Sequence, residues 1–194
     1  MATLTKQNRY TFADYLTWEE DERIEIIHGE IFLMSSPSST HQEISMELSR
    51  QLANFLEGKP CRVYPAPFDV RLFEQNGDTP EHIDTVVIPD ISVICDKNKI
   101  DEKGCKGAPD MIIEILSPSS LRNDRLIKLR LYQQAGVREY WIADPKNKTV
   151  QVFLLDNNGI LRPHEDYGRT DPAKVNILEG CFIELEKVFL EQWT

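Results

Sequence analysis

Met111-Ile112-Ile113-Glu114-Ile115-Leu116 is a run of apolar, mostly β-branched residues with a single carboxylate inside it. Pro89-Asp90-Ile91-Ser92-Val93-Ile94-Cys95 is a second such run, opened by an aspartate. Short apolar runs bounded by turn signals read as buried strands. A carboxylate inside a buried strand is costly unless something pairs with it. Two of them on separate strands, followed by a helix that carries Lys128, predict a metal site with a cationic partner.

Asp110 competes with Asp90 for the role of partner to Glu114. Asp110 and Glu114 fall four residues apart on one strand, roughly 13 Å, too far to share a small cation. Asp90 comes from another strand, and neighbouring strands lie about 5 Å apart. The workable pair is therefore Asp90 with Glu114, and Asp110 reads as a strand-entry residue.

The helix is expected over residues 124–135, stopped by Gly136. With Ile127 at zero, Leu131 lies near about 40°, Asp124 near about 60°, Ala135 near about 80° and Lys128 near about 100°. Asp124, Lys128 and Tyr132 thus form a stripe at the edge of the buried face, while Arg125 and Arg130 suit the solvated side. Lys128 reads as the partner of something inside, fixed by Tyr132 or Asp124. The plain alternative is an Asp124–Lys128 pair along the helix surface.

Two carboxylates and a strand carbonyl, here that of Ile115, make a hard oxygen site suited to Mg²⁺ or Mn²⁺. A lysine beside it can orient or help deprotonate an attacking water and balance phosphate charge. That is equipment for phosphodiester hydrolysis. The alternative is a buried ion-pair network of Asp90, Glu114 and Lys128 with no metal.

Outward from this centre, Thr11 with Asp14 caps a short helix. An acidic stretch at 19–22 leads into a β-hairpin that turns at His28-Gly29. A Ser/Pro loop follows, then a helix over residues 41–57 with Ile44, Leu48, Leu52, Phe55 and Leu56 on one stripe. His41 falls within that stripe, as a satisfied core histidine or as a ligand, and Glu43 falls on the opposite, solvated side. Strands are expected near 61–64, 68–73 and 137–144, the last hairpinned with 150–155. Residues 74–81 and 96–106 read as polar connections, and the tail over 175–189 reads as one or two strands broken at Gly180.

With 194 residues and 41% hydrophobic content, the chain is expected to build one domain around one core. A charged fraction of 28% and a net charge of -10 argue for a soluble protein and against a broad nucleic-acid footprint. Nucleic acid would have to be met through a local patch or through metal ions masking the acids. Arg62, Arg122 and Arg125 are the obvious cations for that. The four cysteines show no CxxC pair, so reduced thiols are expected, with Cys95 buried at a strand end. No stretch is long and apolar enough to span a membrane, and the N-terminus lacks a signal-like apolar core, so a cytoplasmic location is expected.

Taken together, Pro89-Asp90, then Pro109-Asp110-Met111 through Glu114 to Pro118, Asp124, Lys128, Tyr132 and Gly136-Val137-Arg138-Glu139-Tyr140-Trp141 closely resemble the Uma2 family. Phe12 to Leu16, Glu25, Gly29-Glu30 and His41 extend the likeness, which covers most of the chain. The family is classed with the restriction-endonuclease-like, PD-(D/E)XK nucleases. The resemblance implies one Uma2-type domain over residues 1–194, of the α/β (α+β) class. A mixed central β-sheet would be flanked by helices, with an N-terminal β-hairpin. It implies a Mg²⁺-dependent DNA endonuclease, acting as a homodimer, with Asp90 and Glu114 as its acidic pair. In one respect this sequence departs from the superfamily: Leu116 stands where the lysine should follow Glu114. In some branches that lysine migrates to the next helix, where Lys128 lies. Glu30, Glu43 or His41 would complete the site. The rival reading is a catalytically inactive nuclease fold serving as a binding or mobile-element accessory module.

Overall fold

The computed structural model of the chain describes residues 9–18, 24–117 and 122–190, without the side chains of residues 122–125. The acidic stretch at 19–22, the loop directly after Ser117, and the side chains of Arg122, Asp124 and Arg125 therefore lie outside the described residues.

The chain opens with α1 (Phe12–Tyr15), capped by Thr11 and Asp14, and the hairpin β1 (Ile24–Ile27) and β2 (Glu30–Leu33). The hairpin turns at His28 and Gly29, both at positive φ. Then come α2 (Ser39–Leu56), β3 (Arg62–Pro65), β4 (Val70–Arg71), β5 (Val86–Val87) and β6 (Ile91–Ile94). The middle continues with β7 (Ile100–Asp101), β8 (Gly104–Lys106), β9 (Met111–Ile115), α3 (Arg122–Ala135) and β10 (Glu139–Asp144). The chain ends with β11 (Thr149–Leu155), β12 (Leu161–Gly168), β13 (Pro172–Lys174), β14 (Phe182–Glu184) and α4 (Leu185–Val188).

The mixed α+β class expected from the sequence is the one adopted, with the strands divided between two six-stranded sheets. One runs β2-β1-β5-β4-β8-β7, and the other β12-β11-β10-β9-β6-β3; β13 and β14 form a small pair of their own. In the second sheet β9 and β10 are parallel and joined through α3, while β6 and β3 follow β9 antiparallel.

Side-chain alternation sorts the faces of this sheet. Met111, Ile113 and Ile115 of β9 pack with Ile44, Leu48 and Leu52 of α2 and with Leu185 and Val188 of α4. Ile112 points the other way, into the cluster with Leu131 and Tyr132 of α3, Val70 of the first sheet and Leu72 just after it. Glu114, two residues on, takes the same side as Ile112. The sheet is thus covered on both faces, which explains the unbroken apolar runs that betray its central strands.

Several expectations need correction. On α3, Leu126 and Ile127 are more than a third exposed, and the buried face is made by Leu131 and Tyr132. The helix is turned so that Lys128 lies further inward than an Ile127-centred stripe predicts. The connection at 96–106 carries β7 and β8, and 161–168 forms an edge strand whose middle is exposed and polar. Neither leaves a period-2 apolar signal. The tail yields one strand, β14, and then the one-turn α4 in place of a second. Cys95 is not a free thiol: Cys61 and Cys95, one step beyond the Arg62–Ile94 pair of β3 and β6, form a disulfide with Cα atoms 3.9 Å apart. That pairing depends on strand register, which cysteine spacing does not reveal. Cys105 and Cys181 are free and buried. Among the described residues, no helix is long and apolar enough to cross a membrane.

Candidate active site

Asp90 immediately precedes β6, and the β6–β9 register pairs Ile91 with Ile113. Continued by one residue, it sets Asp90 opposite Glu114. Two strands that must each bury an apolar run therefore bring the two carboxylates together at the same end of the sheet. Asp90 Oδ2 accepts the backbone N–H of Ile115 at 2.7 Å, which ties the aspartate to the strand that carries Glu114.

α3 supplies what Glu114 needs. Lys128 Nζ donates to Glu114 Oε1 at 3.0 Å, and Tyr132, one turn on and fully buried, donates its hydroxyl to the same oxygen at 2.5 Å. Tyr132 thus fixes the glutamate, whereas Lys128 is fixed by carboxylates. The second of these is Glu25 of β1, whose Oε1 lies 3.0 Å from Nζ. Glu25 is 4% exposed and also accepts the N–H of Ile88 at 3.0 Å. Burial would lower the Lys128 pKa, but Glu114 and Glu25 reverse this and raise it, so the ammonium stays charged. For Glu114, burial dominates; Lys128 opposes it, Asp90 and Glu25 reinforce it, and the carboxyl is pushed up to about 7.

Another buried acid shows a different solution. Glu139 is fully buried and accepts from Trp141 Nε1 at 2.7 Å and from the backbone N–H groups of Asn176 and Ile177. It is satisfied by neutral donors and pins the 176–177 segment. Glu114 instead faces a cation, a second carboxylate and open space.

The remaining sequence candidates separate. His41, in the first turn of α2, reaches Asp90: Nε2 lies 3.2 Å from Oδ2, and Nδ1 is buried without a partner among the described residues. Burial lowers its pKa and Asp90 more than offsets this, so the net direction is up. Glu43 is exposed and lines a separate cavity with Lys146 and Lys148, away from the acidic pair. Glu30 is exposed at the turn end of β2. Asp110 accepts the Cys95 N–H and pairs with Arg138 at 3.1 Å, a strand-entry role. The α3 backbone includes Asp124, but its side chain is outside the described residues.

Glu25, which the sequence shows as part of the family likeness but not as a site residue, belongs to the site. The signal was present: Arg23-Ile24-Glu25-Ile26-Ile27 places a carboxylate inside an apolar strand, the same cue that exposed Glu114.

These groups share one cleft of about 420 Å³, lined by Glu25, His41, Asp90, Glu114 and Lys128 and by an apolar remainder. Among the described residues no three His, Cys, Asp or Glu side chains are grouped to hold a metal ion. A cation here would rest on two carboxylates, a backbone carbonyl and water. Asp90 Oδ1 and Glu114 Oε2 accept no hydrogen bond among the described residues, and both belong to hard oxygen donors. That donor set fits Mg²⁺ or Mn²⁺: the nearby nitrogen, His41 Nε2, is engaged with Asp90, and no cysteine lines the cleft among the described residues.

The fold thus brings paired acids to the ends of neighbouring strands, with a lysine from the following helix beside them. The Uma2 family model, described as "Putative restriction endonuclease", matches residues 12–186, and the chain belongs to that family. Two uncharacterized proteins of Synechocystis sp. are similar. With slr1290 the chain is 28% identical over 149 residues, which cover 75% of this chain and 74% of that protein. With sll1609 it is 27% identical over 139 residues, 69% of this chain and 74% of that one. A solved structure from Anabaena variabilis, described as a "putative nuclease belonging to DUF820", aligns over 93% of this chain and 97% of its own with a TM-score of 0.70. At 21% identity it establishes the shared fold.

Proposed function

We propose that this chain is a divalent-metal-dependent nuclease that hydrolyses phosphodiester bonds of DNA at the Asp90–Glu114 end of the cleft. The observation that carries this reading is Lys128, a partly buried ammonium held against Glu114 at the mouth of a cleft whose acidic pair offers oxygen donors.

Asp90, Glu114 and the carbonyl of Ile115 would hold Mg²⁺ or Mn²⁺. In a strand the N–H and C=O of one residue share a side, so the Ile115 carbonyl lies on the side of Asp90. When bound, the cation polarises the phosphoryl oxygens and offsets the charge that grows on them.

The chain's own groups do the rest. Lys128 has three N–H donors and spends one on Glu25 and one on Glu114. Among the described residues the third has no acceptor, and we assign it to a water oxygen. Because Lys128 stays charged, its role is to orient that water and balance phosphate charge, not to take the proton. Water's oxygen bonds to phosphorus as the bond to one sugar oxygen breaks. The departing oxygen gains a proton and the other fragment keeps the phosphate. Glu25 and Tyr132 hold Lys128 and Glu114 in position, and His41 holds Asp90.

One observation favours the rival, an inactive nuclease fold acting as a binding module: Glu114 Oε1 is already taken by Lys128 and Tyr132, and no third side-chain ligand joins the pair among the described residues. Calorimetric titration of Mn²⁺ into wild type and Asp90→Ala, followed by plasmid incubation with the same metal, separates the two. Binding and nicking are expected in wild type, and both should vanish in the variant. Wild-type protein that binds no metal would overturn the nuclease reading. Metal binding without cleavage of plasmid or of single strands would favour the inactive module.

A further inference from the structure

The cleft that holds the charged groups also carries an apolar wall. The β1–β2 register sets Phe32 directly across from Glu25, so its ring stands on the same face of the hairpin, with Cβ atoms about 5 Å apart. Ile127 precedes Lys128 and is 39% exposed, and Leu33 at the rim is 81% exposed. Pro37, Pro67 and Leu116 continue the apolar lining. A site built only for a metal ion and a phosphate has no use for this surface.

Positive charge is scarce by comparison. Lys128 is the only lysine or arginine lining the cleft among the described residues, and it already serves two carboxylates. A protein gripping duplex DNA by its backbone neutralises on the order of 6–10 phosphates. This chain carries a net charge of -10. An aromatic ring with aliphatic neighbours supplies a source of affinity that needs no cation: stacking of a base. A base can reach such a wall only when it is out of the helical stack. The cleft, at about 420 Å³, is in the size range of pockets for small organic ligands and suits a nucleotide.

We infer that the cleft binds an unpaired nucleotide, its base against Phe32 and the neighbouring apolar side chains and its phosphate toward Asp90 and Glu114. The substrate is then single-stranded DNA, or an unpaired end or flap, in preference to intact duplex. This rests on the nuclease reading and specifies its substrate class.

The test measures fluorescence anisotropy of a labelled single-stranded oligonucleotide and of a blunt hairpin duplex of the same sequence. Ca²⁺ is present to permit binding without turnover. The single strand is expected to bind at least 10-fold tighter. Phe32→Ala should weaken it about 10-fold, and Phe32→Tyr should restore it. Leu33→Glu, on an exposed side chain that folding does not need, should weaken it as well. Equal or tighter binding of the duplex overturns the inference, as does single-strand affinity untouched by Phe32→Ala and Leu33→Glu. Hydrolysis of bis-p-nitrophenyl phosphate with Mn²⁺, compared between wild type and Asp90→Ala, separates the two levels. Asp90-dependent hydrolysis without single-strand preference removes only the substrate class, whereas no hydrolysis of the small diester or of either oligonucleotide removes the nuclease reading itself.

Discussion

The carboxylate of Asp90 and the backbone N–H of Ile115 are joined at 2.7 Å, so the acidic pair is bound into the sheet itself. Asp90→Ala leaves a buried N–H without a partner and should cost about 1–3 kcal/mol. Asp90→Asn keeps the shape and one acceptor oxygen, and should cost less than about 1 kcal/mol. Urea denaturation in EDTA measures both. Adding Mn²⁺ should then raise the melting temperature of wild type, by linkage, and leave Asp90→Asn unmoved.

Lys128 is the only cation facing Glu25 and Glu114 among the described residues. Lys128→Met strands two carboxylates in a largely buried setting and should destabilise the fold by roughly 3 kcal/mol. Adding Glu25→Gln should recover part of that loss, so the double-mutant cycle gives a coupling of opposite sign to the single effects. Nicking by Lys128→Met should fall by roughly 100-fold, the scale of losing one donor in an active site.

The cysteines make a prediction about accessible thiols. Burial pushes the Cys105 thiol up to about 12 and the Cys181 thiol to about 11, so neither offers thiolate at neutral pH. Ellman's reagent should find no fast thiol in the native protein, two after denaturation, and four after denaturation with reduction. Reduction of Cys61–Cys95 opens a loop of 34 residues and should lower stability by about 2–4 kcal/mol. Two thiols reacting fast under native conditions would refute this arrangement.

Asp69 carries a pH dependence of its own. Burial raises its carboxyl above 3.8, partly opposed by the Tyr15 hydroxyl at 3.1 Å and by Arg71. A folded-state value above the unfolded one means that the folded chain holds the proton more tightly. This contribution is fully present below about pH 3.8 and is lost as pH rises through the folded value. Subtracting the Asp69→Asn stability curve from wild type should therefore give a difference that falls as pH increases. A rising difference would reverse the assignment.

Much of the site could be read from the chain because a charge in an apolar strand has few places to go. Glu114 and Asp90 stand out that way and Lys128 by its place on a helical stripe, and the structure brings all three to one cleft. Glu25 carries the same cue and was passed over because it lies in a hairpin 103 residues before its partner, with nothing local to link them. The Cys61–Cys95 bond escaped for a related reason, since it follows from which residues face one another across β3 and β6. The edge strand β12 shows the limit of patterning: with Arg162, His164, Glu165 and Asp166 all exposed, no alternation marks it. The orientation of α3 was offset because Ile127 looks like a core residue, yet it lines the cleft instead.

The separations along the chain also bear on how the molecule assembles. Glu114 meets Lys128 across 14 residues and Tyr132 across 18, all within the β9-α3-β10 unit. Glu25 arrives from the other sheet, and its contacts with Ile88 and Lys128 span 63 and 103 residues. Local contacts close at little entropic cost, and distant ones wait for the rest of the chain. The lysine and its first carboxylate are therefore expected to meet early, and the carboxylate that locks the ammonium in place to come late. On the nuclease reading, hydrolytic competence would then be acquired only when the two sheets dock.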